Sequence, residues 1–366
     1  MWDTKQNGEF TPFSIFIWRV IQLIVWLIGA VILWFLFFHP RLGEILFWDI
    51  LIPVAPILLV LGPGIWRNIC PLATTNLLPR HLNLSKKAKL NFKQIGRLNL
   101  IGVILLYLIV PLRHAIFNNN GVATGYLIIS MVLIGTIAGF FYEWKSVWCS
   151  GLCPIHPVEK LYGENVLLTV INAHCDSCMN CVTPCPDSTP NIKATSTIKT
   201  NSHKLAAILI TGGLPGFIWG WFQVPDVHYV ASFYQILKVF IWPFSGLAIS
   251  FIIYNITERI IKNLKDKTSI QIYSKKLTAI FAALAVSCYY WYRIPSLFGY
   301  GYFKKDGVLI NLQPKLHSWP FSLITILLVI FFFYWFVFRK ANKKSWTIRP
   351  QFASKKILVS QKNMPD

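Results

Sequence analysis

The chain has 366 residues, 55% of them hydrophobic and 13% charged, and a formal net charge of +21. Soluble domains carry about 25% charged residues, so this composition excludes an ordinary soluble enzyme and makes a bilayer the solvent for much of the chain. The charge invites a nucleic-acid role, yet excess Lys and Arg in the cytoplasmic loops of a membrane protein explains it equally well, and its distribution along the chain decides between the two.

Eight apolar segments follow one another, roughly 15–38, 45–62, 98–113, 122–142, 204–224, 236–254, 276–292 and 320–338, and each reads as a transmembrane helix. The first is too long for a signal-peptide core and lacks a small-residue cleavage site after it, so it reads as the first span. Of the 35 basic residues, 27 fall at the N-terminus, in the loops 63–97, 143–204 and 255–276, and in the tail after 338, against 6 in the alternate loops. That bias puts both termini and these three loops in the cytoplasm, and the nucleic-acid reading loses its support. The 15 Trp and 14 Tyr fit an aromatic belt at both interfaces.

In chain order, the first chemistry-bearing residues are His39, at the outer end of the first span, and Asp49 in FWDILIPVAP, an ionisable group a few residues inside the second. A charge in a span is costly and often functional; at this depth a snorkelling or capping role competes. Arg19 and Lys238, inside spans, read as snorkelling side chains. Past the second span, WRNICPLATT supplies Cys70-Pro71, and past the fourth, WCSGLCPIHP supplies Cys149-x-x-x-Cys153-Pro154. Aligning the two Cys-Pro pairs sets Trp66 over Cys149, with two spans before each site: a degenerate internal repeat.

The most specific signal is NAHCDSCMNCVTPCPDSTP. Its cysteines, Cys175, Cys178, Cys181 and Cys185, the last followed by Pro186, have the spacing of bacterial ferredoxins. Clustered thiols in a reducing compartment point to metal or redox chemistry rather than disulfides. Three thiolates at three-residue intervals converge on three corners of a cubane, and the fourth is carried away to a different cluster. Zinc takes C-x-x-C pairs separated by a longer gap. One four-iron, four-sulfide cluster is therefore expected. Cys175, Cys178 and Cys181 with Cys153 would hold it. Cys185, Cys149 and Cys70, with His156 or His174, would complete a second, although a lone packed thiol is an equal reading of Cys70. Cys288, in AALAVSCYYW, reads as a small apolar side chain.

Four histidines lie on the outer side: His39, His114, His228 and His317. Together they would bind a metal or take protons from an oxidised quinol; the competing reading is interfacial histidine, and no pair has ligand spacing. Asp226 and His228, in QVPDVHYV, make a polar outer turn, a candidate quinol or partner contact against which a plain exposed turn is the favoured reading. The stretch 186–203 reads as a polar tether, and the tail from 339 as a basic segment near anionic headgroups.

Over roughly residues 45–190 the chain resembles the polytopic membrane ferredoxins of the NapH and NosR types, linked to periplasmic nitrate and nitrous-oxide reduction. WCSGLCP at a membrane edge and CDSCMNCVTPCP shortly after carry the likeness. It implies passage of electrons between the quinol pool and a partner redox protein, with clusters on the cytoplasmic side of a bacterial inner membrane. The chain departs from that pattern in having Trp66 where the family has a cysteine, one complete ferredoxin run, no flavin-attached domain and no C-x-x-C-H haem motif.

The expectation is an all-α polytopic membrane protein: about eight transmembrane helices with a small ferredoxin-like cytoplasmic loop region. Residues 1–142 hold four spans, 143–203 the iron–sulfur region, 204–338 four further spans and 339–366 the tail. Its expected work is one-electron transfer between quinol or a cytoplasmic donor and a partner redox enzyme. The alternatives are a maturation factor that reduces a metal, and a redox sensor.

Overall fold

The computed structural model describes residues 7–8, 12–88, 90–142, 145–174, 200–228, 231–264, 266–313, 315–340 and 346–350. Among them are eight helices long and apolar enough to cross a membrane: α1 (Pro12–Phe38), α2 (Pro40–Leu61), α3 (Lys93–Phe117), α4 (Gly121–Phe141), α5 (Asn201–Trp221), α6 (Phe233–Lys262), α7 (Lys267–Leu297) and α8 (Trp319–Phe338). The molecule is a multi-pass helical bundle. Several helices outrun their apolar segments because capping, not hydropathy, sets where a helix begins. Asp266 accepts hydrogen bonds from the Thr268 and Ser269 amides and starts α7. Ser232 with Gln235 forms a capping box before α6, and Asn91 with Gln94 one before α3.

The core is built where α2, α3, α5, α7 and α8 meet, through Leu59, Val103, Tyr107, Ile210, Phe217, Val286, Tyr290 and Phe332. Helix α7 sits deepest, with Ala282, Ala283, Ala285 and Val286 all buried. Helices α5 and α6 touch backbone to backbone: a Cβ at Gly216 would lie 2.0 Å from the Gly246 carbonyl oxygen, and one at Gly246 2.1 Å from that of Gly216. In a bilayer, where apolar side chains gain little by leaving lipid, such close approach of small residues is what holds helices together.

Alternating crossings bring the start of α1, the described parts of the α2–α3, α4–α5 and α6–α7 connections and the described segment after α8 to one face, called here the N-terminal face. Three short parallel strands pair there in the order β1 (Asn7–Gly8), β3 (Thr347–Pro350), β2 (Val170–Ile171). The beginning of the tail is thus part of the fold. Trp346 is fully buried, donates its indole N–H to the Gly163 carbonyl (2.7 Å) and lies under the Lys160 ammonium (4.3 Å).

Several stretches are wound as π turns, including Ile45–Leu51, Arg113–Phe117 and Lys145–Leu152. Such turns re-aim side chains and are frequent at functional sites. Here the three carry Asp49, Arg113 with His114, and Cys149.

Candidate functional site

On the N-terminal face, each Cys-Pro pair is a corner between helices. Cys70 ends the short helix Pro63–Ile69 and begins the short helix Pro71–Asn76, with φ −57° and ψ 117°. Proline disfavours the helical region for the residue before it, so the chain turns at the cysteine and resumes as helix, Pro71 at its first position. Cys153 sits at the same kind of corner, between the π-wound Lys145–Leu152 and the helix Ile155–Tyr162. The repeat read from the sequence is thus also a repeat of local structure. Gly102 of α3 lets the second corner approach: a Cβ there would stand 3.0 Å from the carbonyl oxygens of both Gly151 and Leu152.

The corners meet. Cys149 is buried in an apolar cluster with Ala73, Leu77 and Trp148, and Cys70, Leu72 and Leu152 pack against it. Cys70 and Cys153 feel each other's charge, and Cys149 and Cys153 that of Arg67. Burial, the largest influence, pushes the Cys70 thiol up and the Cys153 thiol up to about 12. Without a cation bound to them, these thiols stay protonated.

Arg67 lies beside them, buried, in a two-pronged pair with Glu159: Nε donates to Oε1 at 2.7 Å, and Nη2 lies 2.6 Å from Oε2. Its Nη2 also meets Nδ1 of His156. Burial alone would raise the Glu159 carboxyl; the Arg67 charge outweighs it and holds the group below its usual range. Burial, then the Arg67 charge, drive His156 down to about 3, so it is neutral and accepts from Arg67 through Nδ1. Neither Arg67 nor Glu159 was singled out from the sequence. Their pairing spans 92 positions, and the local hints are slight: Arg67 lies inside WRNICPLATT, and Glu159 two residues past WCSGLCPIHP.

Cys175, Cys178, Cys181 and Cys185 lie outside the described residues. The chain leading to them is held firmly. Asn68 donates to the Ile171 carbonyl (2.6 Å) and accepts from the Ala173 amide (3.1 Å). His174 donates from Nε2 to the Arg67 carbonyl at 3.0 Å. From α1, Gln22 donates to the Asn68 carbonyl (2.9 Å), and Arg19 bonds both Gln22 (2.8 Å) and the Ala173 carbonyl (3.2 Å). Arg19, read from the sequence as snorkelling, instead ties α1 to the segment that ends at His174. Residue 174 is therefore fixed against the backbone of the short helix that ends in Cys70.

The donor set suits a soft, thiolate-held group. Metal coordination is what ionises buried thiols of this kind, and Arg67 supplies compensating positive charge. A cubane spreads its ligands around a larger body than a single ion does. Among the described residues, no three His, Cys, Asp or Glu side chains stand close enough to hold one ion.

The opposite face carries a second polar assembly. Asp49, for which snorkelling or capping competed, is an ion-pair hub: Arg293 Nη2 lies 2.6 Å and Arg113 Nη2 3.4 Å from its Oδ1. Arg113 is held between the faces of Trp48 (4.9 Å) and Trp221 (5.2 Å). His114 contacts Asp226 Oδ1 at 2.5 Å and donates from Nε2 to the Trp221 carbonyl at 3.0 Å. Asp226, expected in an exposed turn, is 7% exposed, and its other oxygen accepts from Asn118. His228 stands 3.2 Å from Asp306. Of the four outer histidines, His114 and His228 reach this assembly. His39 is exposed beside Trp34 and Phe35, and His317 is exposed before α8.

Against known proteins, no family model, curated protein or solved structure matches the chain.

Proposed function

We propose that this chain is a membrane-bound iron–sulfur electron-transfer protein, passing single electrons between quinol or a cytoplasmic donor and a partner redox enzyme. In this reading the cysteine face looks into the cytoplasm of a bacterium, as the 27 to 6 division of basic residues predicts. One observation carries the proposal. His174, the residue before the four-cysteine run of ferredoxin spacing in the sequence, is bonded to the backbone of Arg67, beside the three cysteines that the described fold gathers.

When bound, a four-iron cluster supplies the one-electron chemistry. The residues around it do the rest. Cys70 and Cys153 stand at rigid helix corners, so their thiols need little reorganisation to act as ligands. Arg67 offsets the negative charge of Cys149 and Cys153. Glu159 balances Arg67 and fixes the plane of its guanidinium through two contacts, and neutral His156 adds no further charge. Trp346 closes the site from the tail side and keeps water from the Arg67–Glu159 pair.

Iron and acid-labile sulfide on protein purified without oxygen test the proposal. About four of each per chain corresponds to one cluster and about eight to two. Cys178→Ser should remove most of the iron, while Cys288→Ser, within α7, should leave it unchanged. Zinc in place of iron, or no metal at all, overturns the reading.

A further inference from the structure

The assembly on the opposite face is not used by an iron–sulfur site on the N-terminal face, and it has its own geometry. Four titratable side chains from three distant parts of the chain form a string. His114 comes from the end of α3, Asp226 and His228 from the α5–α6 loop, and Asp306 from the α7–α8 loop. The contacts are His114 Nδ1 to Asp226 Oδ1 at 2.5 Å, the Asp226 amide to Asp306 Oδ2 at 2.8 Å, and His228 Nε2 to Asp306 Oδ1 at 3.2 Å. Side-chain exposure rises along it: 6% for His114, 7% for Asp226, 15% for Asp306 and 54% for His228. Base and acid alternate at its two ends, and the string runs from the interior to water.

His114, Asp226 and Asp306 also line one cavity, together with Arg113, Arg293 and aromatic rings that include Trp221. Its water-sized space is small, roughly 30 Å³, but Asp226 and Asp306 line it beside Arg113 and Arg293, so a bridging water there has charged partners. Both nitrogens of His114 face acceptors, Asp226 on one side and the Trp221 carbonyl on the other.

We propose that His228, Asp306, Asp226 and His114 form a proton port that exchanges protons between the cavity at the ends of α3 and α5 and the water beyond the opposite face. A proton taken from water by His228 passes to Asp306, which releases it to water in the cavity; Asp226, held by His114, takes it there, and its hydrogen bond to the ring couples the ring protons to the exchange. The reverse order returns the proton to the water beyond the face, and each group is then as it began. The two carboxylates are poised differently for this. Burial would raise Asp226, but the His114 hydrogen bond and charge, with Arg113, hold it below the usual range, whereas burial and the neighbouring Asp226 charge raise Asp306. Paired groups pushed in opposite directions are the mark of acid–base division of labour.

The other charged and titratable groups facing the string, among the described residues, are Asp49 from α2, Arg113 from α3, Arg293, Tyr289 and Tyr292 from α7, and Tyr302 from the α7–α8 loop. Asp49 is satisfied by the two arginines and serves as their fixed counter-charge. A purely structural network would need no half-exposed imidazole at its end, nor a stepwise rise in exposure.

The test reads the exchange of the His114 ring protons with water, by NMR on protein labelled with ¹⁵N-histidine in lipid nanodiscs; a His114→Gln variant assigns the signals. The port predicts at least about tenfold slower exchange in Asp306→Asn, and slowing of the same sense in His228→Gln, whose half-exposed side chain can be replaced without disturbing the fold. If the string were only a brace, weakening it would loosen the site and speed exchange. Unchanged or faster exchange in both variants overturns the proposal. The measurement needs no iron, so its outcome and that of the electron-transfer reading are separate.

Discussion

Arg67 and Glu159 show what a single buried charge demands. Each is less than a tenth exposed, and neither would be tolerated there alone. Removing one partner of a buried pair leaves an uncompensated charge and costs about 3–5 kcal/mol. Glu159→Gln should therefore destabilise the protein by about that much in detergent unfolded with denaturant at neutral pH. The sign of its pH dependence follows from the lowered Glu159 carboxyl. The stabilisation is fully present above the unfolded value, about 4.3, and is lost as pH falls through the lower folded value. Wild type and variant should converge in acid; a gap that persists there would mean that Glu159 acts through packing and not through charge. At this scale the sequence revealed the cysteines, because their spacing is itself the chemistry. It hid Arg67, Glu159, Asn68 and Gln22, whose partners lie 46 to 105 positions away. It also made Asp226 look exposed, because its partners come from the end of α3 and from the α7–α8 loop and not from its neighbours in the chain.

Among elements, the spans were legible in number and order, since about 20 apolar residues have few other uses. Their ends were not, because a cap such as Asp266 extends a helix into charged sequence that hydropathy discards. The π turns left no trace in the pattern, yet they carry Asp49, His114 and Cys149. The Cys-Pro corners were legible as motifs, but their meeting depends on α3 admitting the second corner at Gly102. The carbonyls of Gly151 and Leu152 stand so close that even a Cβ there makes them give way. Gly102→Leu should force them apart at a cost of about 1–3 kcal/mol, the usual penalty of overpacking. It should also expose Cys149 to alkylation by a maleimide in folded protein without bound metal. If Cys149 stays as protected as in wild type, the corner is held by something other than contact with α3.

For the whole molecule, the bundle separates two polar ends by a hydrocarbon thickness of about 30 Å. The N-terminal end is closed by the chain's own tail: β3 pairs between β1 and β2, and Trp346 covers the Lys160 and Arg67 side. The tail's basic composition alone could not show this, because the anchor is one tryptophan beyond the last span. Truncating a buried Trp costs about 3–5 kcal/mol, and Trp346 and Glu159 bear on the same arginine. Trp346→Ala and Glu159→Gln should therefore be coupled: the double variant's destabilisation should differ from the sum of the singles by more than about 0.5 kcal/mol. Asp49→Asn acts at the other end, sharing no partner with Glu159 across the apolar core, so its effect should add to that of Glu159→Gln within about 0.5 kcal/mol. Denaturant unfolding of the singles and both doubles in one detergent makes the comparison. Coupling between Asp49 and Glu159 as large as that between Trp346 and Glu159 would mean that the two faces respond as one unit. In that case a proton event at one end could bias the cysteine site at the other without any carrier moving between them.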